Sequence, residues 1–252
     1  MSISRKIGVV VAGHGSQNPV AILEFQEQMR LFSALQEGIV EHGFLEFETP
    51  GIGEAIDRAI TCGANMLVVL PAMLTSAHHV KIDIPNIIRI AKQKHPLISI
   101  RYGRHLDLHP KIIELSKNRI QQSLSECSFL SPRQSTLMVV GRGTSDSSGN
   151  GDVITLTRLL GEAFGFGEAR YAYTSVAKPL FKDALEDVRQ TTLLILPYLL
   201  FSGMLVHKIG EYTHQFQKEN GDIFVKLAQS LGPDILVANA LQDRYFEAIR
   251  RI

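Results

Sequence analysis

The sequence predicts an α/β protein built as two tandem copies of one four-stranded, parallel-sheet unit. Two observations carry that expectation. Short β-branched runs alternate with helical patterns, the order that βαβ units need. Three segments of the first half also recur in the same order in the second, about 126 to 129 residues later.

Taken along the chain, the first strand falls at 7–12, a short apolar run rich in valine. A helix over 21–35 follows, with Ile22, Phe25, Met29 and Phe32 on one stripe. A Phe-Leu-Glu strand end then carries Glu46. The segment 51–62 is amphipathic: Ile52, Ala55, Ile56, Ala59 and Ile60 recur at helical spacing, and Glu54, Asp57 and Arg58 occupy the opposite face. Residues 66–70 form another apolar strand.

The second half repeats these pieces. Val10-Val11-Ala12-Gly13-His14-Gly15-Ser16 returns as Met138-Val139-Val140-Gly141-Arg142-Gly143-Thr144. Pro50-Gly51-Ile52, with Ala55, Ile56 and Ala59, returns as Pro179-Leu180-Phe181, with Ala184, Leu185 and Val188. Leu67-Val68-Val69-Leu70-Pro71 returns as Leu193-Leu194-Ile195-Leu196-Pro197. The stretch 125–135 is aperiodic and contains serine and proline, so it reads as the join between a half at 1–127 and a half at 134–252.

Composition narrows the function. The 26 Lys and Arg nearly cancel the 25 Asp and Glu, so no charge field points to nucleic acid or an anionic membrane, and a small substrate is the default. Cys62 and Cys127 form no CxxC pair and no disulfide framework, which suits a reducing cytosol. The amino-terminal apolar run is too short for a signal segment or a membrane span, and a cytoplasmic location is expected.

Two copies of one fold share their structural needs and can differ where only one does chemistry. His14 is matched by Arg142, His79 by Leu205 and Glu46 by Ser175. The first member of each pair lies at or just past a strand end, where loops of a parallel sheet converge on one crevice. Two neutral imidazoles with a carboxylate suit Fe²⁺, Co²⁺, Ni²⁺ or Zn²⁺ rather than Ca²⁺ or Mg²⁺. Each residue has a bland reading: His14 as a cap between glycines, His78 and His79 as loop histidines, Glu46 as a solvated carboxylate. The joint loss of all three in the sister copy favours the metal site.

The Gly13, Gly15 and Ser16 loop also offers backbone donors and a hydroxyl at a helix start, where an anion can sit. It is a weak dinucleotide fingerprint, because Asn18 replaces the third glycine and no Walker lysine follows. No Gly-x-Ser-x-Gly turn supplies a serine nucleophile.

Together the stretches VVVAGHGSQNP, GFLEFETPGIGEAID, VVLPAMLTSAHHVKIDIP, GRGTSD and LPYLLFSGMLV resemble the class II tetrapyrrole chelatases, specifically the duplicated form of the sirohydrochlorin chelatases. That resemblance implies a lyase that inserts Co²⁺ or Fe²⁺ into sirohydrochlorin without ATP, on the route to cobalamin or sirohaem. It implies His14 and His79 as the metal-holding and proton-accepting residues, and Glu46 as the assisting carboxylate. Gly13, Gly15, Ser16, Ser76, Lys81 and Arg142 are then expected around the substrate. Arg101 and Arg104 are further rim cations for its carboxylates, and His105 and His109 are loop histidines nearby.

The halves are expected to face each other across a cleft, the second being a degenerate repeat that forms the opposite wall. No permanently bound cofactor is expected, since the divalent metal is a substrate. The expected partners are sirohydrochlorin and that ion, with no nucleic acid or membrane, and the chain is expected to be a monomer. The chain departs from the family in two places. Ser76-Ala77-His78 replaces the usual glycines, so that His78 competes with His79, and Ile82 replaces an expected basic residue. Two other functions fit parts of the pattern: a non-catalytic metal or tetrapyrrole carrier, and a phosphate-ester enzyme using the 13–16 loop.

Overall fold

A computed structural model describes residues 6–250. The first sheet holds β1 (Ile7–Gly13), β2 (Ile39–Phe44), β3 (Met66–Pro71) and β4 (Ser99–Tyr102), in the order β2-β1-β3-β4. The second holds β5 (Ser135–Gly141), β6 (Glu168–Tyr173), β7 (Thr192–Pro197) and β8 (Phe224–Leu227), in the matching order β6-β5-β7-β8. All pairings are parallel, so helices must cover both faces of each sheet. Those helices are α1 (Pro19–Ser33), α2 (Ile52–Thr61), α3 (Ile84–Lys94), α4 (Pro110–Glu126), α5 (Ser147–Phe164), α6 (Phe181–Glu186), α7 (Met204–Glu219) and α8 (Ile235–Arg250).

Local chemistry sets where the helices start. The Asn18 side chain accepts from Val20 N at 2.9 Å, and Pro19 fills the first helical position, so α1 begins two residues before the apolar stripe suggests. Asp146 caps α5 in the same way through Ser148 N. At α2, Glu54 reaches back to accept from Gly51 N at 3.0 Å.

In the first unit, one sheet face packs Val10, Ala12, Leu67 and Val69 against Ile52 and Ile56 of α2 and Ile84 and Ile88 of α3. Each large side chain so buried contributes about 1.5–3 kcal/mol, and Ile56→Ala would cost about 2–5 kcal/mol. The second unit repeats this with Met138, Val140 and Ile195 against Phe181, Leu185 and Ile209.

The compact units do not coincide with the sequence repeats. One runs to His109 and resumes at Pro233, and the other is Pro110–Gly232. The helix that ends each repeat therefore belongs to the other unit: α8 lies with α1 and β3, and α4 with α5 and β7. Polar ties hold each in place. Arg244 of α8, only 4% exposed, donates to the carbonyls of His105 and Leu106 and to the Glu247 carboxylate, which satisfies a buried guanidinium. Arg101 of β4 donates to the carbonyls of Ala248 and Ile249, closing the end of α8. In the other unit, Arg119 of α4 donates to the carbonyls of Ser230 and Leu231. The sequence-based division at 127 and 134 misses this exchange because α4 and α8 each carry an ordinary apolar stripe. Cys62 and Cys127 are both free thiols.

Candidate metal-binding site

Three loops at the carboxyl ends of β1, β2 and β3 are fastened to one another through their backbones. Leu45 N donates to Gly13 O, Glu46 N to His14 O, and Ala72 N to Ala12 O. Gly15 sits at φ +89°, and a Cβ there would lie 1.8 Å from the Glu46 carbonyl oxygen, so this close approach admits glycine alone. Gly13 is constrained less severely, by packing alone, since a Cβ would meet the Phe25 ring at 2.7 Å.

Beyond β3, residues His79–Asp83 form a single π-helical turn that runs into α3. Such turns concentrate at functional sites. The Tyr102 hydroxyl donates to Val80 O at 2.8 Å and ties the turn to β4, and burial pushes that phenol upward from its ordinary pKa.

This framework brings the half-buried rings of His14 and His79 to a centroid separation of 4.9 Å, edge to face. The Nδ1 atom of His14 lies 3.2 Å from Gly15 O, and that of His79 lies 2.7 Å from Asp83 Oδ2. A carbonyl and a carboxylate only accept hydrogen bonds, so each Nδ1 carries the proton. Each Nε2 is then the nitrogen with a lone pair, the form in which imidazole binds a metal.

The other expected residues are placed as follows. Glu46 is joined to His14 through its backbone and has an exposed side chain. Among the described residues no three His, Cys, Asp or Glu side chains gather into a group that could hold a metal ion. Ser16 Oγ accepts from Asn18 N at 3.0 Å, and Thr144 does the same for Asp146 N in the second unit. At the start of α1, Asn18 N and Val20 N are therefore engaged locally, and Pro19 has no N–H.

Ser76 is buried, Lys81 is exposed on the π turn, and Arg142 is exposed in the second unit. Arg101 is not a rim cation, because its guanidinium closes α8, and Arg104 pairs with Asp107 at 2.7 Å. His109 is buried, 3.5 Å from Asp243 of α8. His105 is held below its ordinary pKa, first by burial.

Two residues that the sequence reading passed over belong to the site. Asp83 holds His79, and its spacing of four residues from that histidine at a helix start was the available signal. Phe47, 57% exposed at φ 66°, stacks on His14 with ring centroids 6.3 Å apart. No local pattern announced it.

The fold is a parallel α/β unit repeated twice, with a close pair of imidazoles in the first copy. Comparison with known proteins names the group: the CbiX family model matches residues 8–123 and again 136–248, and the chain belongs to that family. The sirohydrochlorin cobaltochelatase of Priestia megaterium is 32% identical over 250 residues, covering 96% of this chain and 79% of the relative. The sirohydrochlorin ferrochelatase of Bacillus subtilis (strain 168) is 26% identical over 251 residues, covering 96% and 92%. The crystal structure of the sirohydrochlorin chelatase SirB from Bacillus subtilis subspecies spizizenii, in complex with cobalt, superimposes with a TM-score of 0.84 at 27% identity, over 98% of this chain and 97% of that one. No helix among the described residues is long and apolar enough to cross a membrane.

Proposed function

We propose that this chain inserts a divalent metal, Co²⁺ or Fe²⁺, into sirohydrochlorin, with the metal as substrate and no permanently bound cofactor. The single observation that carries the site assignment is the pair of imidazoles 4.9 Å apart, each with Nδ1 committed to an oxygen acceptor.

The chemistry is an exchange. The hydrated ion sheds water, two pyrrolic N–H protons leave, and the metallated macrocycle is released with two protons. The Nε2 atoms of His14 and His79 replace water on the incoming ion, and the open positions leave room for the pyrrole nitrogens. As the metal passes to the macrocycle, the same nitrogens become free to accept the departing protons. Glu46, exposed at the end of the β2 loop, offsets metal charge or passes a proton outward. Lys81, exposed on the π turn, is a cation for the substrate's carboxylates.

The phosphate-ester alternative has no need of His79, yet His79 stands against His14 beside the 13–16 loop. A carrier would use the same ligands but show no turnover. The deciding assay mixes metal-free sirohydrochlorin with Co²⁺ or Fe²⁺ and follows the absorbance change with and without protein. Catalysis predicts many turnovers per chain above the spontaneous rate, whereas a carrier stops at one equivalent.

A further inference from the structure

We infer that Asp83 is a positioning residue that selects His79 over its neighbour His78 as the metal-binding imidazole and fixes its proton on Nδ1. This deepens the reading above and rests on it. Asp83 is the last residue of the π turn, in helical conformation where the turn runs into α3, and its side chain makes no capping bond. The carboxylate turns back instead, and Oδ2 meets His79 Nδ1 at 2.7 Å. A carboxylate on the far nitrogen of a metal-binding histidine orients the ring and raises the basicity of the other nitrogen.

The second carboxylate oxygen discriminates between the two histidines. Oδ1 lies 3.6 Å from His78 Nε2, longer than a hydrogen bond, and the His78 side chain is 67% exposed against 22% for His79. One neighbour is therefore clamped and the other left in solvent.

The sister copy supports a functional rather than architectural origin. From the end of β7 to the start of β8, Pro197 to Phe224, the chain is one residue shorter than from Pro71 to Ser99. The segment corresponding to the π turn is regular helix there, and Lys208 and Ile209 stand where the two possible alignments place Asp83. The fold is thus complete without the extra residue and without the acid.

The test compares Asp83→Ala, Asp83→Asn, His78→Ala and His14→Ala in the full chain. It reads Co²⁺ affinity by calorimetry without tetrapyrrole, the steady-state KM for Co²⁺, and Tm. Asp83→Ala should weaken both metal constants about 10–100-fold at near-constant Tm. Asp83→Asn, which keeps an oxygen acceptor, should recover part of that, and His78→Ala should move neither constant more than about twofold.

Wild-type metal constants in Asp83→Ala, with binding lost in His14→Ala, would overturn the role of Asp83 and leave the site intact. Wild-type binding in His14→Ala would remove the underlying site itself. A fall in Tm matching the loss in Asp83→Ala, with Asp83→Asn no better, would reduce Asp83 to a structural role. His78→Ala as damaging as Asp83→Ala would overturn the selection.

Discussion

Residues 13–16 of the first unit and 141–144 of the second close the same turn with different chemistry. Gly15 and Gly143 share positive φ, and a Cβ on either would collide with the carbonyl of Glu46 or Ser175 at 1.8 or 1.9 Å. Phe47 and Val176 share the left-handed conformation at φ 66° and 64°, and both X-Pro bonds, Thr49-Pro50 and Lys178-Pro179, are cis. Ser16 and Thr144 close identical local turns. Strain and glycine here belong to the scaffold, since the copy without histidines keeps both. What separates the copies is His14 against Arg142, His79 against Leu205, Glu46 against Ser175, and one inserted residue that opens a π turn.

That contrast can be broken at several strengths. The largest effect is expected from His14→Ala or His79→Ala, each cutting kcat for Co²⁺ insertion by about 10²–10⁴-fold. In the same assay Leu205→Ala, at the position that His79 holds in the first unit, should leave kcat unchanged. Next, deletion of Ile82, an exposed residue of the π turn, should restore the regular helix of the second unit. It should keep the fold by circular dichroism and lower activity about 10²-fold through displaced imidazoles.

Gly15→Ala and Gly143→Ala should each cost about 1–3 kcal/mol, visible as a fall in Tm of a few degrees, because the clash is equal in both units. Only the former should also slow chelation. If both did so equally, the division of labour between the copies would be wrong.

The smallest effect concerns acid. His42, on β2 against Phe25 and Phe44, is held below its ordinary pKa, first by burial. The unfolded chain therefore takes up this proton before the native state does, so stability is lost as pH falls from about 6.5 toward the depressed value. The repeat places Tyr171 of β6 at the matching position, and His42→Tyr should make denaturant-measured stability fall less steeply between pH 7 and 5.

Much of this architecture is legible in the residues. The recurrence of Gly-x-Gly and Leu-Pro blocks marks two matched sheets, and alternation of strand and helix patterns makes them parallel. The boundary of α1 was misjudged by two residues because Asn18 and Pro19, which start the helix, are polar or turn-forming rather than part of the apolar stripe. The pairing of His14 with His79 was readable because the sister copy served as a control.

Arg101 was not readable. A cation near a strand end has the same appearance whether it faces a ligand or, as here, the carbonyls of Ala248 and Ile249 from a helix 147 residues away. Asp83 stood in plain view in the sequence, but its partnership with His79 needed the π turn, which leaves no compositional trace.

The exchange of terminal helices implies an unusual response to cleavage. A protease that cuts between 127 and 134 severs the backbone inside Pro110–Gly232 and frees no half-molecule. The amino-terminal fragment still lends α4 to the second sheet, and the carboxy-terminal fragment still lends α8 to the first. Nicked protein should co-migrate on a native gel as one species, whereas either fragment synthesised alone would leave a sheet face bare and precipitate.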